Sequence, residues 1–365
     1  MKRYISLDIL RGLTVAMMII VNNPGSWSHI YPMLRHASWD GCTPCDLVFP
    51  FFLFCVGVSM VFAFAKYQGL TKNAARKIFQ RGMLLYVVGI LIMAFPFYPS
   101  FRNPELTSLQ NWLQWAGNLR LVGVLPRIAM CYMLGSVLVL WLQTSKKLLA
   151  AVGTLCILHI GLLLIFAGPE GAFTLEGNLA RRIDLALLGE NHIYHGYGIP
   201  FDPEGLLGTL TGTATVLLGY IVGHGVRESQ SQAVVRKVLA LSAVMLATGL
   251  LLSIWIPLNK PLWSASYVFY TAGWASLVFS MLIYVVDVRG VERPFFPFKA
   301  LGMNALTLYA LSEVIGRVIR RCIGWDYSEM FGQTEFTSLV FALLYLTVHL
   351  LIAIILYKKK IFIKL

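Results

Sequence analysis

Ten apolar runs follow one another along the chain, parted by polar segments. They lie near 5–23, 46–65, 82–98, 120–142, 148–167, 204–224, 238–257, 265–286, 300–319 and 336–357. A helix needs about 20 apolar residues to cross the hydrocarbon core of a bilayer. The pattern therefore predicts an all-α polytopic membrane protein, a single bundle of about ten transmembrane helices. No internal repeat, low-complexity tract or soluble linker divides residues 1–365, which read as one domain. Two polar segments stand out between the runs, at about 24–45 and about 168–203.

An even number of spans puts both termini on one side, and the basic residues decide which. With the termini inside, 19 of the 30 Lys and Arg fall in inner segments, among them Lys2, Arg3, Lys77, Arg81, Lys358 and Lys364. Eight fall outside: Arg35, Arg102, Arg120, Arg181, Arg182, Lys260, Arg320 and Arg321. The asymmetry predicts cytoplasmic termini, with both long polar segments facing outward. Composition agrees with lipid as the solvent. The chain is 58% hydrophobic, and only 13% of its residues are charged, about half the share in a soluble domain. Its net charge of +13 is spread between the apolar runs and not gathered on one face, so it marks topology and argues against nucleic acid as a partner. The first run lacks a small-residue cleavage site and is expected to be a retained helix.

Charges inside spans are costly and either pair or serve function. Asp8 and Arg11 share a helix face three residues apart, and Glu313 and Arg317 four apart. Arg127 has no carboxylate at helical spacing and needs a partner from another helix or an anionic ligand. Among the seven histidines, His159 and His349 lie in apolar runs as core residues, whereas His192 and His195 lie in the second polar segment. His36 is different. It adjoins Trp39, Asp40 and Asp46 at the start of the second span, where an imidazole offers a base near neutral pH. Cys42 and Cys45 form a C-x-x-C whose spacing admits a redox pair, a structural disulfide or coincidence. No second such pair or histidine pair at zinc-finger spacing accompanies them, so no metal is expected.

Six segments occur in order: SLDILRGLTVAMMIIVNN, RHASWDGCTPCDLVFPFFLFCVGVS, GVLPRIAMCYML, FDPEGLLGTL, PLNKPLWSASYV and ALGMNALTLY. Together they resemble the motifs of the heparan-α-glucosaminide N-acetyltransferase family of transmembrane acyltransferases. The resemblance implies transfer of acetyl from cytosolic acetyl-CoA, as co-substrate, to a glucosamine amine across the membrane. It implies His36 as the catalytic residue, with Asn22 beside it and Asp40 or Asp46 orienting the ring. Asp8, Arg11, Arg120, Arg127 and Asn304 would line the donor passage. Trp39, Lys260, Trp263 and Ser264 would bind the acceptor sugar. Pro126 stands where the family often has Gln, and Asp40 where Asn is common; both departures bear on the acceptor more than on the reaction. Without a large extra luminal domain, the chain reads as a bacterial version in the cytoplasmic membrane. Its partners would be an amino-sugar or glycan acceptor and the bilayer, with homodimer formation left open. Two other readings fit ten spans and buried charge: an amino-sugar transporter, and an O-acyltransferase acting on an envelope glycan.

Overall fold

Small polar residues set the start of five helices. Thr71, Thr107, Thr144, Asn178 and Thr334 each accept a backbone N–H from three residues ahead, which satisfies a donor the first turn leaves open. The computed structural model describes residues 4–95, 97, 105–227, 232–319 and 327–363. Lys2, Arg3, Arg102, Arg320, Arg321 and Lys364, which entered the charge balance, lie outside the described residues. The helices are α1 (Ile5–Asn22), α2 (Val48–Ala63), α3 (Lys72–Ala94), α4 (Ser108–Gly117), α5 (Val124–Leu142), α6 (Ser145–Ile165) and α7 (Leu179–Leu188). There follow α8 (Gly208–Arg227), α9 (Gln232–Leu252), α10 (Ala265–Leu282), α11 (Phe296–Met303), α12 (Ala305–Arg317), α13 (Ser328–Phe331) and α14 (Glu335–Lys358). No strand occurs among the described residues.

Among the described residues, eight helices are long and apolar enough to cross a membrane. The protein is an all-helical integral membrane protein. The two remaining expected spans take other forms. The run at 204–224 becomes α8, a buried helix whose Thr211, Thr213 and Thr215 hydroxyls donate back to the carbonyls of Gly208, Thr209 and Thr211. The run at 300–319 is broken at Asn304, whose φ of −123° and ψ of 33° separate α11 from α12. The third span starts earlier than the apolar pattern, at Lys72, because the basic KNAARKIFQR stretch is already helical behind the Thr71 cap. Conversely α5 starts at Val124, because residues just before it pair with the second polar segment through Leu121 N–H and the His192 carbonyl, 3.0 Å apart.

Glycine brings the central helices together. A Cβ on Gly57 of α2 would strike the Val216 carbonyl of α8, and one on Gly12 of α1 the Phe298 carbonyl of α11. Without a hydrophobic drive between helices in lipid, such close backbone approach is what packing can offer. The outer helices present apolar faces instead: Leu84, Val87 and Leu91 on α3, Ile157 and Leu164 on α6, Leu344, Val348 and Leu351 on α14 are all exposed. The segment 23–47 joins α1 to α2, so it lies at the end of the bundle where α1 finishes and α2 begins. The segment 166–207, which contains α7, joins α6 to α8 and meets it there: the Trp39 indole N–H donates to the Phe173 carbonyl at 2.7 Å.

Candidate active site

Asp46 organises the first polar segment. Its Oδ2 accepts the Ala37 N–H (3.1 Å), the Thr43 N–H (3.0 Å) and the Thr43 hydroxyl (3.1 Å). Its Oδ1 is left for His36 Nδ1, 2.6 Å away. The carboxylate side chain is 1% exposed and the imidazole 47%. A buried carboxylate on Nδ1 fixes the tautomer that places the lone pair on Nε2. The Tyr267 hydroxyl donates to the Asp46 carbonyl at 2.5 Å, tying this turn to α10.

The loop before α10 completes the cluster. Lys260 Nζ lies 3.0 Å from His36 Nδ1, 3.3 Å from Nε2 and 3.5 Å from Asp46 Oδ1. Asn259 holds this loop in place. Its amide donates to the Trp39 carbonyl (3.2 Å) and Asp40 Oδ1 (3.0 Å), and its Oδ1 accepts the Leu262 N–H (2.7 Å). The Gly41 N–H donates to the Leu258 carbonyl at 2.7 Å, adding a second stitch. Asn259 sits inside the PLNKPLWSASYV motif next to Lys260, and nothing in an Asn between Leu and Lys announces three such bonds. Trp263 and Ser264, each 1% exposed, are built into the same loop. Ser264 accepts from Asn259 N–H and donates to the Pro257 carbonyl, while Trp263 donates to the Thr215 hydroxyl. Cys42 and Cys45 are free thiols. Cys45 Sγ lies 3.2 Å from His36 Nδ1, and burial followed by the charge of Asp46 pushes the Cys42 thiol up to about 12.

The other sequence candidates lie elsewhere in the bundle. Asn22 donates to Glu313 Oε1 at 3.3 Å and lines a cavity of about 340 Å³ with Arg120, Tyr194, Tyr309 and Arg317. Arg120 bonds both oxygens of Asp202 (2.8 and 2.6 Å) and Glu204 (2.5 Å), and its guanidinium covers the Tyr194 ring. Burial works against that charge, but Glu204 and Asp202 more than offset it and hold the guanidinium firmly protonated. Arg127 is 1% exposed over the Trp263 ring, with Nη2 donating to the carbonyls of Gly205 (2.6 Å) and Pro203 (3.4 Å). Its partner is thus the backbone ahead of α8. Asp184 on α7 accepts the Leu206 N–H at 2.8 Å beside it, and burial raises its carboxyl to about 7.

A larger cavity, about 530 Å³, opens toward the other end of the same helices. Arg11, Lys77, Gln80 and Arg81 line it, and Arg81 stacks over Tyr132. Arg11 pairs with Asp8. The Asn304 side chain holds the chain end near this cavity, donating to the Ile361 carbonyl (3.0 Å) and accepting the Ile363 N–H (2.8 Å). The two cavities succeed one another along shared helices: Arg11 then Asn22 on α1, Leu84 then Gly89 on α3, Tyr132 then Pro126 on α5, Leu306 then Tyr309 on α12. On α1 the step is eleven residues, roughly 16 Å of helix. From the smaller cavity an aromatic row continues toward His36, with Tyr194 and Tyr197 centroids 6.1 Å apart and Tyr197 and Trp39 5.9 Å apart.

The class this defines is an integral membrane protein with a His–Asp–Lys centre at one end of its bundle and a basic cavity toward the other. Comparison with known proteins narrows it. Residues 3–170 match the family profile described as heparan-alpha-glucosaminide N-acetyltransferase, catalytic. The mouse heparan-alpha-glucosaminide N-acetyltransferase is 29% identical over 410 aligned positions, taking in 98% of this chain and 60% of the mouse protein. The human protein of that name is 28% identical, over 98% of this chain and 59% of its own length. The resemblance read from the six motifs is borne out: nearly all of this chain is similar to that family. The chain spans about three fifths of the length of these relatives.

Proposed function

We propose that this protein is a transmembrane acetyltransferase that moves acetyl from cytosolic acetyl-CoA to the amine of a glucosamine-type sugar on the outer side of a bacterial cytoplasmic membrane. The observation that carries this reading is the His36–Asp46 pair, a half-exposed imidazole oriented by a buried carboxylate. Amine acetylation needs a base for the proton lost as nitrogen attacks the thioester carbonyl. His36 Nε2 takes that proton, Asp46 steadies the imidazolium, and the proton then passes to the departing thiolate sulfur.

The large cavity supports the donor assignment. Its cationic lining of Arg11, Lys77 and Arg81 suits a phosphate-bearing nucleotide, and buried polar groups at membrane depth belong beside such a passage. A slender acyl arm following α1, α3, α5 and α12 would pass Asn22 and Arg120 before meeting the acceptor. Trp39, partly buried three residues from His36, packs edge-on against Tyr197, and the pair offers aromatic faces to a sugar ring.

The test is purified protein mixed with acetyl-CoA and a panel of amino sugars, read by mass spectrometry. An alkali-stable N-acetyl product supports the reading. An alkali-labile ester would point to O-acylation by the same base, and sugar uptake into vesicles without acetyl-CoA would point to a transporter.

A further inference from the structure

An acyl transfer also needs a donor for the oxyanion that forms when the carbonyl carbon becomes tetrahedral, and such a donor must stand beside the base. Asn22, expected beside His36, gives its amide hydrogen to Glu313 in the smaller cavity instead. The group that does stand there is an ammonium. Lys260 Nζ is 3.3 Å from His36 Nε2, the atom that accepts the amine's proton.

Lys260 is not needed to satisfy Asp46. Asp46 already accepts three hydrogen bonds on Oδ2 and one from His36 on Oδ1, and its ion pair with Lys260, at 3.5 Å, is too long for a good hydrogen bond. Nor can the ammonium bond Nδ1, whose hydrogen goes to Asp46. At 3.0 Å from Nδ1 and 3.3 Å from Nε2 the ammonium lies against the ring and off the line of the Nε2 lone pair, which stays open to the amine. The ammonium hydrogens are therefore free for the carbonyl oxygen on which negative charge builds as Nε2 takes the amine proton.

We propose that Lys260 is the oxyanion donor of the acetyl transfer, acting with the His36–Asp46 pair. The assignment rests on the acetyltransferase reading above. The amine nitrogen bonds to the acetyl carbon, the carbonyl π electrons move to oxygen beside Lys260 Nζ, and the amine proton goes to His36 Nε2. Collapse re-forms the carbonyl, breaks the carbon–sulfur bond and returns that proton to sulfur. Lys260 keeps its own protons throughout.

The experiment compares wild type, Lys260→Met and Lys260→Arg in acetyl transfer to glucosamine, with acetyl-CoA affinity and thermal stability measured on each. Lys260→Met should lose about 10²–10³-fold in kcat, as expected for a missing oxyanion donor, with acceptor KM changed only a few-fold and acetyl-CoA affinity kept. Lys260→Arg should recover at least tenfold of the loss. If Lys260→Met does not fold, Lys260→Gln replaces it and should show the same fall in kcat. A raised acceptor KM with wild-type kcat would overturn the proposal and make Lys260 a sugar-binding residue, leaving the acetyltransferase reading intact. A wild-type protein that binds acetyl-CoA but acetylates no acceptor would overturn both.

Discussion

At the scale of single residues, the account turns on how unequally His36 and Asp46 meet solvent. A half-exposed imidazole carries little packing, so His36→Ala should fold and still bind acetyl-CoA while losing about 10²–10⁴-fold in transfer rate. Stopped assays with labelled acetyl-CoA check this, and a wild-type rate would remove His36 from the mechanism. Asp184 gives a pH prediction. Its carboxyl titrates near 7 in the folded protein, against 3.8 for an ordinary aspartate. Between those values the folded state holds a proton that the unfolded state has lost, so stability falls as pH rises from about 4 to about 7 and then levels. Thermal unfolding in detergent should show that fall in wild type and a flatter profile in Asp184→Asn; identical profiles would contradict it. His36 with Asp46 was legible from a motif and ten residues of separation. Asn259 was not, because its value lies in backbone groups of residues 39 and 262 that only the fold brings to it. Arg127 was legible as a buried guanidinium in need of a partner, but not that backbone carbonyls of residues 203 and 205 would supply it.

At the scale of helices, apolar periodicity located the elements and polar or glycine punctuation reshaped them. The expected ninth span is two helices because Asn304 leaves helical geometry, and its side chain is used to hold residues 361 and 363. Hydropathy cannot register such a break, since the residues on either side are as apolar as in any continuous helix. The same break makes a prediction: Asn304→Ala should raise hydrogen exchange at 361–363 while leaving α14 protected. Unchanged exchange there would show that the latch is not Asn304. The α2–α8 crossing is more severe. Gly57→Val would drive a branched side chain into the Val216 carbonyl, an overpacking expected to cost about 3 kcal/mol or more and to lower thermal stability accordingly. A fully stable variant would contradict the packing described.

At the scale of the whole molecule, the proposal needs two ends with different chemistry: His36, Asp46 and Lys260 at one, and Arg11, Lys77 and Arg81 lining the cavity toward the other. In the proposed orientation, argued from the basic asymmetry of the sequence, the second end faces the cytoplasm. A cysteine placed at 187 should therefore react with an impermeant thiol reagent in intact cells above the parent's background, and one at exposed position 73 should not. The most direct test of the central claim puts the protein in sealed vesicles with acetyl-CoA on one side and glucosamine on the other. The account predicts N-acetylglucosamine on the sugar's side, with CoA retained on its own, and only when acetyl-CoA faces the Lys77–Arg81 end. Product formed solely when both substrates share a compartment would contradict it.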